Sequence, residues 1–408
     1  MAETTLNSET KRIAVVTGAN KGLGFEISKQ LASNGVRVIL AARDVRRGNE
    51  AVEKLKDAGY SDVVFHQLDL TDYASISSLA DFIKTQFGKL DILVNNAATI
   101  GAIVNEEEVW KLSVEEIVGI NARPLKELIK QTYETSENCL KTNYYGIKQL
   151  NKALIPLLLL SGSARIVNVS SSVGQLKRIS NENVRKVLGD VDGLTEEKVD
   201  QLVEGFLEEV KENVVETNNW PANFSAYFIS KAALNAYTRT LARMYPKILI
   251  NAANPGYISS DFNNNTGSLT VEDGAKGPVM LALMPEGILG TIVIVEEQKK
   301  HSSDEASLTM FCREDVKENL IEINGWLANI SAYIVSKAAL NAYTRVLARK
   351  YLKMAINSGS PRYTSTDLNN NSGVLTIEKG AKGLVMLALM PEGGPSGLFF
   401  DKMEVSTF

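Results

Sequence analysis

Two cysteines (Cys139 and Cys312) and two histidines (His66 and His301) are all that the 408 residues contain. So few thiols exclude a disulfide framework, and so few soft ligands exclude a structural zinc site; no metal is expected. The chain therefore suits a reducing, cytoplasmic compartment. A surplus of either charge is missing too. The net charge of −4 offers no general attraction to nucleic acid or to an anionic membrane. Long apolar runs are absent: "ALIPLLLL" at 153–160 is too short to cross a bilayer and contains Pro156. The polar opening "MAETTLNSETKR" lacks the apolar centre of a signal peptide. What is present, 44% hydrophobic and 23% charged residues, is enough for a substantial core in a soluble protein.

The first 170 residues alternate short β-branched runs with longer amphipathic segments. "RIAVVTGA" (12–19), "RVILAARD" (37–44), "DVVFHQLDL" (62–70), "LDILVNNAA" (90–98) and "ARIVNVSSS" (164–172) are the runs. Near-continuous apolar strands are buried on both faces, as in a parallel sheet. Alternation with helices predicts an α/β, doubly wound Rossmann fold. Right-handed crossovers would bring the strand C-termini to one edge, where ligands bind. Two charge-rich insertions, 101–140 and 175–224, interrupt the pattern and are long enough for helices of their own, such as one capped by Thr195. They are either surface decoration or walls of a pocket at that edge.

Beyond residue 210 the chain repeats itself. Residues 210–287 align with 316–393 without a gap at an offset of 106, and 53 of the 78 positions are identical. A solenoid needs at least three units, so the economical reading is one domain, 1–300, followed by a partial duplicate of its C-terminal third, 301–408.

"TGANKGLG" (17–24) follows the first strand and opens a helix. Gly18, Gly22 and Gly24 let the backbone turn and approach a diphosphate at the helix N-terminus. At the end of the second strand stands Arg43, with Arg47 one helical turn on and Lys21 in the glycine loop. Cations there suit the 2′-phosphate of NADP, where an acidic residue would suit NAD; Asp44 weakens the case a little. Asp69 closes the third strand, where its carboxylate can accept from an adenine amino group.

In this order "TGxxxGxG", "NNA", "KTNYYG", "VNVSSS", "YxxxK" and "NPG" resemble the short-chain dehydrogenase/reductase superfamily. With both insertions the wording is similar to the plant branch that contains salutaridine reductase and the neomenthol and menthone reductases, and to the monomeric animal carbonyl reductases. The resemblance implies a catalytic set of four. Tyr227 matches the general acid that protonates a carbonyl oxygen, and Lys231 a cation lowering the phenol's pKa. Ser171 matches the residue that hydrogen-bonds the substrate oxygen, and Asn143 one that holds a water linking the lysine to solvent. It also places Asn20, Leu23, Leu70 and Asn96 around the cofactor, with Pro255, Gly256 and Ile258 along the nicotinamide. The expected partner is a hydrophobic ketone or alcohol of terpenoid or alkaloid type, and the expected state a monomer. Two departures stand out: "NNAA" puts Ala98 where the family has glycine, and the Ser171–Tyr227 separation is long, as in the monomeric branch.

The copies differ where the nicotinamide would lie. Copy one reads "NAANPGYISSD" (251–261); copy two reads "NSGSPRYTSTD" (357–367), with Arg362 in place of the glycine, yet it keeps Tyr333 and Lys337. Only copy two ends in the family's wording, "GLFFDK", whereas "GTIVIVEE" follows copy one. Copy one is expected in the active domain because it is contiguous with the rest. The competing reading is a catalytically impaired NADP-binding product of duplication or gene fusion.

Overall fold

The computed structural model describes residues 11–109, 111–119, 122–190, 193–284 and 292–294, and then 309–311, 344, 354–360, 364, 375–389, 396, 399–401 and 404–406. The chain divides into two compact units, Met1–Asp304 and Glu305–Phe408.

In the first unit the β-branched runs become strands: β1 (Ile13–Thr17), β2 (Arg37–Ala42), β3 (Val63–Gln67) and β4 (Ile92–Asn95). A small antiparallel pair, β5 (Ile103–Val104) and β6 (Ile129–Lys130), ties together the ends of the first insertion. The sheet resumes with β7 (Arg165–Val169), β8 (Leu249–Asn254) and β9 (Ile292–Ile294). Every pairing in the order β9-β8-β7-β4-β1-β2-β3 is parallel. The order runs outward from β1 to β3 and then reverses at β4, so a crevice opens beyond the C-termini of β1 and β4.

Val15, Ile39, Leu93, Ile166 and Ile250 share one buried cluster with Leu79, Leu154 and Leu234, while their alternate neighbours Val16, Leu40, Val94 and Val167 are buried outside it. Both faces of the sheet are thus covered, which is why the strands carry so few polar positions. The covering helices are α1 (Gly22–Ser33), α2 (Val45–Asp57), α3 (Tyr73–Phe87), α4 (Glu106–Val109), α5 (Val114–Val118), α6 (Tyr133–Leu140), α7 (Ile147–Leu158), α8 (Glu182–Gly189), α9 (Glu196–Lys211), α10 (Ser225–Met244) and α11 (Val271–Leu283). α1 packs on α11, α3 on α7, and α10 on α6, α9 and β8. Side-chain caps from Asp44, Asp72, Thr132, Thr195 and Thr270 start α2, α3, α6, α9 and α11. A π-helical turn, Lys141–Gly146, joins α6 to α7.

The place beside β8, which the sequence left to either "GTIVIVEE" or "GLFFDK", is taken by Ile292–Ile294, with Ala253 opposite Val293. Within the second unit Ser358–Gly359 pairs in parallel with Phe399–Asp401, itself antiparallel to Glu404–Ser406. There the helix Ile377–Ala388 is capped by Thr376, as Thr270 caps α11, and a Thr364–Leu375 bridge matches the Ile258–Leu269 bridge at the repeat offset. Tyr333, Lys337 and Arg362 lie outside the described residues.

Candidate active site

A cavity of about 1100 Å³ occupies the crevice. Ligand pockets commonly hold ~300–1,000 Å³, so this one has room for a large molecule and a smaller one beside it. Gly18, Asn20, Lys21, Gly22, Leu23, Arg43, Arg47, Asp69, Leu70 and Asn96 line one end; Ser171, Tyr227, Lys231, Pro255, Gly256 and Ile258 line the other. Gly24 lies beneath the lining and Asn143 is buried behind it.

The first end is built for close backbone approach. Gly18 has φ +63°, and a Cβ on Gly24 would stand 2.4 Å from Asn96 Nδ2 and 2.6 Å from the Gly18 carbonyl oxygen. Asn96 holds the loop from the β4 side by donating from Nδ2 to the Thr17 carbonyl at 2.9 Å. α1 starts without a side-chain cap and without an acidic residue in its first turn, so its leading N–H groups face the cavity end unneutralised. This cradle fits a diphosphate.

The three cations expected at the second strand do not stand alike. Lys21 reaches across the mouth to Asp261, Nζ to Oδ2 at 3.0 Å, and Arg47 lies 3.7 Å from Asp44. Asp44 is occupied as the cap of α2, accepting the Arg47 N–H at 2.9 Å; that bond holds its carboxyl below the usual range. Arg43, exposed at the cavity edge, has no acidic partner among the described residues. Asp69 lies two residues past β3 rather than at its end, with Oδ1 accepting from the backbone and hydroxyl of Thr71 at 2.9 and 2.7 Å. Ala98 does not have positive φ, so its Cβ brings no strain and the departure from glycine is silent.

At the other end Tyr227 and Lys231 project from one face of α10. The Lys231 ammonium lies 5.7 Å from the Tyr227 ring centroid and donates to the Val169 carbonyl at 2.7 Å. Ser171, carried just past β7, lies near enough to the phenol to pull its pKa down. The electrostatics differ from expectation. Burial pushes the Tyr227 phenol upward, opposed by Ser171 and not by Lys231. Burial also lowers Lys231 from 10.5 to about 8, and the carbonyl to which it donates carries no charge to offset this. Burial thus keeps the phenol protonated while making it a weaker acid than a free one.

Asn143 lies in the π turn and its side chain is already committed. Oδ1 accepts the Thr99 N–H at 2.9 Å, while Nδ2 donates to the Thr99 carbonyl at 2.8 Å and to Ser230 Oγ at 3.1 Å. A water expected on this residue has the main chain and the second lone pair of Oδ1 left to hold it. π turns recur at functional sites because they free backbone groups from the helical ladder. Cys139 packs beside it, its thiol raised to about 12 by burial.

The insertions divide in role. The first contributes Val114, Glu115, Ile117, Val118 and Asn138 to the cavity wall, and the second its opening residues Gln175, Lys177 and Arg178 and its last, Phe224. α9 instead packs on α6 and α10, pinned through Lys148 to Asp200 at 2.6 Å and Glu196 at 3.3 Å. Sequence reasoning missed Phe224 and Phe262. Phe262 stands 5.9 Å from the Tyr227 ring. They become Ile330 and Leu368 in copy two, but 25 of the 78 aligned positions differ, so that change did not single them out.

Residues 12–183 match the family pattern described as short chain dehydrogenase. The chain is 53% identical over 296 residues to salutaridine reductase of Papaver somniferum, covering 70% of this chain and 95% of that protein. The solved structure of that enzyme superposes with TM-score 0.65 at 52% identity, covering 69% of this chain and 99% of the other. (+)-Neomenthol dehydrogenase of Arabidopsis thaliana is 52% identical over 280 residues, 68% of this chain and 93% of that one. Carbonyl reductase [NADPH] 3 of Mus musculus is 37% identical over 288 residues, 68% and 93% respectively. With relatives matched over nearly their whole length, and with the parallel sheet and its crevice in place, the chain belongs to the short-chain dehydrogenase/reductase family of oxidoreductases.

Proposed function

We propose that residues 1–300 form an NADPH-dependent reductase that converts the carbonyl of a hydrophobic, terpenoid- or alkaloid-like ketone to an alcohol. The observation that carries it is the Ser171–Tyr227–Lys231 cluster at one end of a cavity whose other end is a diphosphate cradle. The names of the relatives, two plant enzymes of such substrates and one NADPH carbonyl reductase, support the same reading.

The loop from Gly18 to Gly24 and the open start of α1 would hold the diphosphate, Arg43 the 2′-phosphate, and Asp69 the adenine amino group. Asn20, Leu23, Leu70 and Asn96 would surround the dinucleotide, and Pro255, Gly256 and Ile258 would line its nicotinamide. That group, when bound, supplies the hydride. Ser171 and Tyr227, both lining the cavity, would receive the substrate oxygen with their hydroxyls. Tyr227 gives its proton to that oxygen as negative charge develops on it. Lys231, with a pKa of about 8, is an ammonium near neutrality and can reprotonate the phenolate without an uphill transfer. Asn143 acts at one remove, clamping the Thr99 segment that lines the cavity. The silent fit of Ala98 takes away one support for an impaired enzyme.

The test is NADPH oxidation over a panel of cyclic ketones by the full chain. Steady turnover that disappears in Tyr227→Phe, with NADPH binding retained, supports the reading. NADPH binding with no turnover on any ketone would overturn it.

A further inference from the structure

Phe224 immediately precedes α10 and holds a backbone conformation that its side chain disfavours, φ +56° and ψ 32°. The other non-glycine residues with positive φ among those described are Asn213, Asn219, Asn264 and Asn265. Asparagine tolerates that region; a bulky aromatic does not. Strain of this kind persists only where its surroundings fix it, and it gathers at functional sites.

The surroundings are on the first insertion. Asn223 Oδ1 accepts the Leu125 N–H at 2.9 Å, and its Nδ2 donates to the carbonyls of Ile117 and Arg123 at 3.0 and 2.9 Å. On the other side Gln131 Oε1 accepts from Ser225 N and Oγ at 2.7 and 3.0 Å, and Gln131 Nε2 donates to the Ala222 carbonyl at 3.4 Å. Residues on both sides of Phe224 are therefore gripped, and the one between them is left to turn. Its own carbonyl accepts the Tyr227 N–H at 2.8 Å and so starts the helix that carries the phenol. Phe224, three residues before Tyr227, is 5% exposed, belongs to the hydrophobic core and is among the residues that line the cavity, as are Val114 and Val118.

We propose that Phe224 determines substrate specificity: its ring is the surface against which a bulky, uncharged polycyclic ketone rests while its carbonyl meets Ser171 and Tyr227. The first insertion keeps the strained turn in place for that purpose. A small ketone reaches the two hydroxyls without touching the ring, so the residue discriminates by size. The inference rests on the reading of this cavity as a carbonyl-reducing site.

Phe224→Ala and Phe224→Gly in the full chain test it, with 2-decalone as the bulky probe and cyclohexanone as the small one. In both variants the calorimetric Kd of 2-decalone for the NADP-loaded protein, and its KM, should rise about tenfold or more. Cyclohexanone values and the NADPH Kd should stay within about twofold, since neither contact uses the ring. The glycine variant should melt no lower than the alanine variant, because only glycine relieves positive φ. Equal losses for both ketones, or a glycine variant melting below the alanine one, would overturn the proposal. If the unaltered chain binds 2-decalone but never reduces it, the enzymatic reading fails while the contact stands. If it does not bind 2-decalone at all, this inference fails, and turnover of cyclohexanone alone would still uphold the reductase.

Discussion

Lys231 keeps an amine where charge is disfavoured, and that has a sign in pH. Its folded value of about 8 lies below the ordinary 10.5, so between those limits the unfolded chain binds more protons than the folded one. Stability should therefore rise from about pH 8 to pH 10.5, with the penalty fully present below 8. Lys231→Met should flatten that rise, read as urea midpoints at about pH 7 and about pH 10. Turnover runs the other way, since it uses the ammonium and should fall as pH passes about 8. Arg43, the cavity-edge cation without an acidic partner among the described residues, is expected to carry cofactor choice. Arg43→Ala should weaken NADPH by about 1.5–3 kcal/mol and NADH hardly at all, measured by fluorescence titration. Equal losses would show that the 2′-phosphate is held elsewhere. Lys21 is engaged by Asp261, and Asp261→Asn should release it, tightening NADPH roughly two- to fivefold at low salt, with no gain at high salt.

At the scale of elements, the strands, the glycine loop and the Tyr–Lys pair were legible in the sequence because each is a local pattern. The apolar runs are dictated by burial on both faces, and Tyr227 and Lys231 meet because four residues make one helical turn. Phe224, Asn223 and Gln131 were not legible. Their roles arise where the first insertion meets the start of α10, some 90 to 100 positions apart, and no spacing encodes that. The paired state of Lys21 was hidden for the same reason, since Asp261 lies 240 residues away. Element α9 offers a test of how firmly the second insertion is attached. Lys148 is 7% exposed between Glu196 and Asp200, so Lys148→Ala leaves two carboxylates without their cation. A loss of about 3 kcal/mol in urea unfolding is expected, with cofactor affinity unchanged. A loss below about 1 kcal/mol would mean that apolar packing alone seats the helix.

For the whole molecule the question is which of the two related segments the enzyme needs. β9 comes from the residues directly after copy one, so a chain ending near residue 304 keeps its last parallel pairing. That shortened chain is expected to be soluble, bind NADPH and retain turnover, and Tyr333→Phe in the full chain should change little. Insolubility on shortening would instead mark an exposed sheet edge and a structural part for copy two. The neighbouring position of β9 also has a meaning in time. Copy one leaves the ribosome 106 residues ahead of copy two, a head start of roughly 5–20 s at ordinary elongation rates. That is ample for a local strand to dock before its rival exists. A chain diluted from urea has no such order of events, and both segments contend for one seat from the first millisecond. Freshly synthesised protein should therefore run as one species on a native gel and refolded protein as two, a history that the shortened chain should not show.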